Sequence, residues 1–306
     1  MSRLVIIANP RAHRNRLWPL AAQALKKAAP GATLLETPQE EDLKSAAREV
    51  ASGKVEVVAI AGGDGTAQRA ITELSQACGD KLPPIALLGG GAYDSLADLG
   101  RRGAPEVRLK RLSTALASGE TLKLDARDTL QVEGQLGFRL GVGLPLRFVE
   151  AIYRSGRPGR LMGAWMTLKT IGSSLTHGAF AKALYEPLPV SCVVDGEEWP
   201  PVPLYGLVCA SVAEAGLGLR PFKRATEQPG FFEVLGLTAG PLAFSLELPP
   251  LLLGRPARRD RLLDAVAEHV VLQGRSALPY FLDGEVKPGS KSLTITPGPR
   301  VSLVRA

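Results

Sequence analysis

The chain has 306 residues, of which 45% are hydrophobic and 22% charged, so a disordered protein is excluded and a two-domain globular one is expected. Lysine and arginine number 37 against 30 aspartates and glutamates, and this net charge of +7 predicts an anionic partner: nucleic acid, a phosphorylated ligand or an acidic membrane surface. Seven basic residues against one acid, Glu150, fall between Arg139 and Lys182, so most of the excess charge lies in one segment.

The three cysteines predict neither a disulfide framework nor a zinc site. Cys78, Cys192 and Cys209 are odd in number, far apart and in apolar surroundings, which is typical of a reducing cytoplasm. No stretch approaches the ~20 apolar residues that a membrane-spanning helix needs. Any membrane contact is therefore expected to be peripheral.

The first hundred residues alternate strand and helix patterns. A helix is predicted over Trp18–Ala29, a second after the capping signal Thr37-Pro38-Gln39-Glu40, and a third after Gly65. The predicted strands are Leu4–Ala8, Thr33–Glu36, Val55–Ala61 and Ile85–Leu88. Repeated β-α units of this length predict a Rossmann-like parallel sheet that binds its ligand at the carboxyl ends of the strands.

From Leu122 onward the pattern changes to alternating apolar and polar residues. The predicted strands are Leu122–Val132, Gln135–Val142, Leu188–Val194, Leu204–Ser211, Phe231–Leu237, Phe281–Asp283 and Ser292–Thr296. Residues Pro145–Leu184 are helical in character. We therefore predict an α/β domain over residues 1–122 and an antiparallel β-sandwich with a helical insertion over residues 123–306. A return of the C-terminal strand to the first domain stays open.

The sequence Gly62-Gly63-Asp64-Gly65-Thr66 lies between a predicted strand and a predicted helix. Glycines expose backbone N–H groups beside a helix N-terminus, an arrangement that favours phosphate. Asp64 could there bind Mg²⁺ or accept a proton from an attacking hydroxyl. The alternative is a tight turn with a capping aspartate, and the Walker A pattern is absent.

Four motifs follow one another along the chain: Asn9-Pro10, the Gly62–Thr66 loop, the triple-glycine loop with Asp94 and Leu99-Gly100, and Asp283-Gly284-Glu285. In this order and spacing they resemble the bacterial lipid kinases of the diacylglycerol kinase family. Sphingosine kinases and, more distantly, NAD kinases share that fold. The resemblance covers essentially the whole chain.

The resemblance implies transfer of the γ-phosphoryl group of ATP, with Mg²⁺, to a hydroxyl of a diacylglycerol-like or sphingoid lipid in a cleft between two domains. The implied catalytic residues are Asp64, Asp283 and Glu285, and Asp64 is also the candidate metal ligand. The implied nucleotide-binding residues are Asn9, Gly62, Gly63, Gly65, Thr66, Gly90, Gly91 and Asp94.

A second Asp-Gly-Glu, at residues 195–197, has a simpler interpretation. It lies between Val194 and Trp199, where Asp-Gly is the expected two-residue hairpin turn. We therefore predict a structural role for Asp195.

Four departures from the family pattern keep other functions open. The chain has Arg69 where the family has an acid, and Gly91 and Tyr93 where it has threonine and asparagine. It also has Ala12-His13 within a family Asn-Pro-x-Ser-Gly and Pro229 within a family Asp-Asp-Gly. These changes favour, as alternatives, a non-catalytic nucleotide- or lipid-binding protein or a kinase with another acceptor such as NAD.

The segment Leu161–Leu175 mixes large apolar side chains with basic residues. Such a helix packs on the β domain or lies on an anionic bilayer, the second case giving a cytoplasmic protein that associates peripherally with membranes. The predicted membrane-contact residues are Arg154, Arg157, Arg160, Trp165 and Lys169. Nucleic-acid binding is not expected, because aromatic residues are only 5% and no recognition motif occurs. A homodimer stays open.

Overall fold

A computed structural model describes residues 3–12, 20–90, 96, 104–156, 159–215, 220–245 and 262–305, with the Arg160 side chain left out. The chain divides into two compact units. The first comprises Met1–Arg127 together with Pro299–Ala306, and the second comprises Asp128–Gly298.

The first unit is built on a parallel sheet. Its strands are β1 (Leu4–Ala8), β2 (Thr33–Glu36), β3 (Val57–Ala61), β4 (Ile85–Leu87) and the end of β16 (Ser292–Val304), in the spatial order β2-β1-β3-β4-β16. Its helices are α1 (Leu20–Ala28), α2 (Glu40–Ser52), α3 (Asp64–Cys78) and α4 (Pro105–Ala117). Every residue of β1 and β3 is buried, as expected for strands that are covered on both faces.

The start of α2 differs from the sequence prediction. Gln39, not Thr37, is the N-cap, and its backbone N–H donates to the Asp42 carboxylate at 2.9 Å. The backbone N–H of Thr37 instead donates to the carbonyl oxygen of Ala8 at 2.8 Å. Because Thr37 is bound to the end of β1 in this way, the helix begins later.

The second unit contains two antiparallel sheets. One has the order β12 (Leu262–Ala267), β11 (Phe232–Leu237), β10 (Gly206–Ala210), β7 (Arg139–Gly143), β14 (Tyr280–Leu282), β15 (Glu285–Lys287). In the other, the beginning of β16 pairs with β13 (Val270–Gly274), which pairs with β8 (Val190–Val194), followed by β9 (Glu197–Glu198). Strand β5 (Leu124–Val132) begins in the first unit and pairs with β6 (Gln135–Gly137) and β16.

Side chains from both sheets share one hydrophobic core. Leu140, Phe232 and Tyr280 come from one sheet, and Leu130 and Ile295 from the other. The predicted fold class, a parallel α/β domain followed by an antiparallel sandwich, is therefore confirmed.

Some strands differ from the prediction in extent. Strands β12 and β13 were not predicted, and the single strand predicted over residues 135–142 divides into β6 and β7. Strand β16 continues to Val304 rather than ending at Thr296. Asp264 and Glu268 interrupt the apolar pattern around β12, which explains why alternation alone did not reveal it.

Three helices lie between β7 and β8: α5 (Leu144–Arg154), α6 (Arg160–Leu175) and α7 (Ala179–Leu184). Gly143 turns the chain from β7 into α5 at a φ of +71°, and a Cβ there would lie 2.5 Å from the carbonyl oxygen of Tyr205. Only glycine fits this turn. Within the described ranges, no helix combines the length and hydropathy needed to cross a membrane.

Candidate active site

The glycine loop joins β3 to α3 in the first unit. Gly63 is the N-cap of α3, and Asp64 is its first residue. A Cβ at Gly62 would lie 2.6 Å from the Thr66 side chain, so the loop closes tightly over the first helical turn. The first amides of a helix have no partner within the helix, so this loop presents N–H donors suited to phosphate oxygens.

Asn9 connects the end of β1 to this loop. Its side-chain Nδ2 donates to Thr66 Oγ1 at 3.1 Å, and its Oδ1 accepts from the backbone N–H of Arg11 at 2.8 Å. Its own backbone N–H donates to the Ala61 carbonyl at 3.1 Å. The side chain is therefore held beside the predicted phosphate position.

The chain after β4 reaches the same place. Gly90 has a φ of +138°, and a Cβ there would lie 3.5 Å from the Cα of Gly62. Asp64 Oδ1 accepts from the backbone N–H of Leu96 at 3.0 Å. Six of the predicted nucleotide-binding residues, together with Asp64, thus gather at the carboxyl ends of β1, β3 and β4; Gly91 and Asp94 lie outside the described residues.

The described residues contain no group of three or more His, Cys, Asp or Glu side chains placed to hold a metal ion. Mg²⁺ in nucleotide sites is bound by one or two carboxylates together with substrate phosphates and water, so it does not need such a group. A half-buried Asp64 beside the glycine loop fits that kind of site.

One buried cation near the glycine loops was not predicted. Arg108 of α4 is only 3% exposed, and its guanidinium donates to the carbonyl oxygen of Leu88, directly before the second glycine loop. Arg108 lies one turn from Leu112, which is also buried. This position on the apolar stripe of α4 is the sequence signal that could have revealed it.

In the second unit, Asp283 lies in the turn between β14 and β15. Asp283 and Gly284 have φ values of +47° and +92°, as in a two-residue hairpin turn. The Asp283 carboxylate is 1% exposed and accepts from the backbone N–H groups of Phe138 at 2.8 Å and Arg139 at 3.1 Å. It also accepts from Arg139 Nε at 3.3 Å.

Glu285 follows this turn as the first residue of β15. Its half-buried carboxylate pairs with Lys287 Nζ at 3.0 Å. The hydroxyl of Tyr153 from α5 donates to the carbonyl oxygen of Gly284 at 2.5 Å. The turn is therefore held at both of its central residues, at Asp283 by its own carboxylate and at Gly284 by Tyr153, immediately before Glu285.

The second Asp-Gly-Glu is the predicted structural hairpin. Asp195 and Gly196 have φ values of +51° and +86° between β8 and β9. The exposed Asp195 carboxylate accepts from the backbone N–H groups of Glu268 and His269 at 3.1 and 2.8 Å.

The basic side chains of residues 139–182 differ in their exposure and in their partners. Arg139 is buried against Asp283, and Arg147 donates to the carbonyl oxygens of Leu184 and Glu186. Arg154 is 75% exposed and pairs with Glu150 at 2.8 Å. Lys169 lies 4.4 Å from the centre of the Phe180 ring. Arg157 and the Arg160 side chain lie outside the described residues.

Several large apolar side chains of α6 point outward. Leu161 is 89% exposed, Trp165 60% and Leu168 63%. The buried face of the helix instead carries Met166, Thr170 and Ser174. The alternative in which these apolar residues pack on the β domain is therefore wrong for this face.

A buried carboxylate on β11 also went unpredicted. Glu233 accepts from the backbone N–H groups of Arg224 and Ala225 at 2.8 and 3.0 Å. Burial, together with the nearby negative charge of Asp264, raises the pKa of Glu233 to about 7.

Comparison with known proteins finds a matching family model for the first part of the chain. Residues 3–126 match the family model of the diacylglycerol kinase catalytic domain, which confirms the resemblance predicted from the motifs. No curated protein matches the chain.

Solved structures share the fold over the whole chain. A diacylglycerol kinase from Bacillus anthracis str. Sterne superimposes with a TM-score of 0.70 at 17% identity, over 99% of this chain and 96% of that one. Yeast NADH kinase complexed with NADH gives a TM-score of 0.51 at 10% identity, over 100% of this chain and 84% of that one.

Proposed function

Because residues 3–126 match the diacylglycerol kinase catalytic domain, we propose that the protein is an ATP-dependent kinase whose acceptor is the hydroxyl of a diacylglycerol-like or sphingoid lipid. The observation that carries this proposal is the convergence of Asn9, the Gly62–Thr66 loop, Gly90 and Asp64 at one edge of the parallel sheet.

Phosphoryl transfer depends mainly on positioning and on neutralising charge. Backbone N–H groups of the glycine loop and the N-terminus of α3 would hold the phosphates, with Asn9 fixing the loop through Thr66. Bound Mg²⁺ would neutralise charge on the phosphate oxygens, and Asp64 is the residue that would hold it. Asp64 is also the candidate to accept the proton of the attacking hydroxyl.

We assign Asp283 a positioning role instead of a direct one. Its carboxylate is buried and engaged by two backbone N–H groups and the Arg139 guanidinium. A group so enclosed is poorly placed to reach a substrate. Glu285, which follows the turn and is half-buried, keeps the direct role that the family pattern implies.

The outward face of α6 supports a membrane-bound acceptor. Thr170 and Ser174 on the buried face donate their hydroxyls to carbonyls one turn earlier, both at 2.8 Å. The large apolar residues of the opposite face are exposed. This reverses the usual arrangement of a surface helix, so the outward face is suited to an apolar medium such as the interfacial region of a bilayer.

The charge around α6 favours an anionic bilayer. Residues 151–185 contain no Asp or Glu, whereas Lys169 and Lys182 are exposed and Arg154 is 75% exposed. Basic side chains that flank an interfacial helix each contribute ~1 kcal/mol of attraction to anionic lipid headgroups. We therefore propose that α6 rests on an anionic membrane surface.

The kinase proposal is tested with purified protein, Mg²⁺-ATP and mixed vesicles that contain diacylglycerol and sphingoid bases. We expect a phospholipid product, and Asp64→Asn should lower its rate by roughly 10²–10⁴-fold, as for loss of a general base. Asp195→Asn, in the structural hairpin, should leave the rate unchanged. Absence of product with every divalent metal tried would contradict the proposal.

Vesicle flotation tests the membrane surface separately. Replacing Leu161, Trp165 and Leu168 with serine should abolish binding to anionic vesicles. Leu20→Ser is the matched control, because Leu20 is 61% exposed on α1 in the first unit. Equal binding by the triple variant and the wild type would refute the role of α6, whatever the kinase assay shows.

A different acceptor is the second candidate. The fold is shared with yeast NADH kinase, and Arg69 stands where the family has an acid, with its Nε donating to the Gly65 carbonyl at 3.4 Å. Phosphorylation of NAD but not of lipid would favour this alternative. A third outcome is that the wild type binds nucleotide and vesicles without turnover, whereas the double variant Arg69→Glu/Tyr93→Asn gains kinase activity. This result would indicate a kinase that has lost its activity.

A further inference from the structure

A pocket of about 440 Å³ lies in the second unit, on the side of α6 opposite its exposed apolar face. It is lined by Ser174 at the end of α6, His177, the α7 residues Ala181 and Lys182, and residues 240–243. Its volume is within the range of about 300–1,000 Å³ typical of small-molecule sites.

The walls of this pocket are apolar. Ala181, Pro241, Leu242 and Ala243 contribute hydrocarbon surface, and Gly240 has no side chain. The adjoining residues Leu184, Tyr185 and Phe244 belong to a buried hydrophobic cluster. The Ser174 hydroxyl donates to its own helix, at the Thr170 carbonyl. The interior is therefore suited to a hydrocarbon chain.

The pocket carries one basic side chain, Lys182, and one histidine, His177. Lys182 and His177 are exposed lining residues, and no acidic side chain is among the lining residues that the structure describes. Glu186, four residues after Lys182, is engaged elsewhere, because it pairs with Arg147. Among the described lining residues, a bound anion would therefore meet positive charge and no carboxylate.

We propose that this pocket binds a single-chain anionic amphiphile, with its alkyl chain along Pro241–Ala243 and its acidic head on Lys182. Carboxylate and phosphate monoester heads share the required chemistry. The site goes beyond the proposed kinase activity, because Asp64, Asp283 and Glu285 do not line it and its occupancy needs no nucleotide.

Calorimetric titration with alkyl carboxylates and alkyl phosphates of increasing chain length, each below its micelle concentration, tests the ligand class. The Kd should fall about fourfold for each added methylene until the pocket is filled. The alkyl alcohol of equal length should bind at least tenfold more weakly. Inorganic phosphate that binds as tightly as the alkyl phosphate would overturn the proposal, because it would indicate a plain anion site. Comparison of the carboxylate and phosphate series shows which head is preferred.

Gly240→Phe tests the location of the site. A Cβ at Gly240 meets no atom within 4 Å and the backbone needs no positive φ, so the aromatic ring can enter the pocket without strain. We expect at least a tenfold loss of affinity for the longest ligand. Gly31→Phe, at an equally open glycine in the first unit, should have no effect. Unchanged binding by Gly240→Phe would overturn the proposal.

Lys182→Glu tests the head group. It should weaken binding of the carboxylate and phosphate at least tenfold but leave the alcohol unchanged, whereas Lys110→Glu on α4 should change neither. An equal loss for the alcohol would contradict the assigned role of Lys182. Asp64→Asn should retain amphiphile binding, so failure of the kinase proposal and failure of this one give different results.

Discussion

Asp283 and Asp195 are the first residues of identical Asp-Gly-Glu turns, yet their carboxylates have opposite surroundings. Both turns use positive φ values at Asp and Gly. Asp195 is exposed and accepts from the backbone of Glu268 and His269. Asp283 is buried and accepts from the backbone of Phe138 and Arg139 and from the Arg139 guanidinium. The same three residues therefore make a surface turn in one place and an internal anchor in the other.

Removing the internal carboxylate should be costly. Asp283→Ala leaves the guanidinium of Arg139, which is 8% exposed, without its ion-pair partner, and we expect unfolding to become easier by about 3–5 kcal/mol. Asp195→Ala should cost ~1 kcal/mol, because its donors can bond to water. Urea denaturation measures both, and equal losses would contradict the anchoring role of Asp283.

Glu233 couples the stability of the second unit to pH. Its pKa is raised from 4.5 to about 7, chiefly because the carboxylate is buried. Between these two values the folded protein binds more protons than the unfolded chain, so stability falls as pH rises through this window. The protonated carboxyl is the form that the folded state favours.

Glu233→Gln should remove this dependence. At about pH 8 the variant should be more stable than the wild type by up to about 3 kcal/mol, whereas at about pH 4 the two should be similar. Urea denaturation across the window measures the difference. Glu268→Gln, at an exposed carboxylate, is the control, and a variant that retains the pH dependence would rule out Glu233 as its source.

At the scale of elements, Gly143 decides how β7 becomes α5. Its φ of +71° and the nearby Tyr205 carbonyl combine backbone strain with a steric clash for any side chain. Gly143→Ala should therefore cost about 2–3 kcal/mol. Gly156→Ala, also at positive φ but with no atom within 4 Å of a Cβ, should cost ~1 kcal/mol. Thermal unfolding compares the two variants. Equal decreases in Tm would mean that the clash of the new Cβ with the Tyr205 carbonyl is relieved.

The hydrophobic periodicity of the sequence predicted where strands and helices lie along the chain better than it predicted which of their faces are buried. The strands of the first unit were predictable because β1 and β3 are continuous apolar runs. The orientation of α6 was not, because Leu161, Trp165 and Leu168 form an apolar stripe whichever side faces the protein. Only the hydroxyls of Thr170 and Ser174, satisfied within the helix, show how the opposite face can be buried.

At the scale of the whole molecule, the local motifs of the candidate site were predictable, whereas its contacts between distant residues were not. The glycine loop and Asp64 were predicted because their chemistry depends on local sequence. Asp283 is buried through a partner 144 residues away, Arg139, and Arg108 is held by a partner 20 residues away, Leu88. No local sequence pattern contains such partners.

Strand β16 belongs to both units, and its last residues complete the first. Val301, Leu303 and Val304 are buried, and Leu303 is paired with Ile85 of β4. Deleting residues 299–306 should destabilise the first unit by ~5 kcal/mol or more, from three lost apolar side chains. Hydrogen exchange of β4 amides measures this.

Two point substitutions separate the contribution of buried apolar side chains to stability from that of the surface ion pair at the end of β16. Leu303→Asp should reproduce most of the effect of the deletion. Arg305→Ala, which removes a 2.8 Å surface pair with Asp125, should cost under ~1 kcal/mol. Unchanged β4 exchange in the deletion variant would show that β16 is dispensable there.

This arrangement sets the order in which the protein can be completed on the ribosome. Domains of most multidomain chains fold as they emerge, the N-terminal one first. Here β4 meets its outer neighbour only when residues 299–304 have been synthesised, after the whole second unit. Until then the β4 edge is open to pairing with other nascent chains. The unit that begins the chain is therefore the last to be finished, and its exposed edge is where we expect chaperones to be needed.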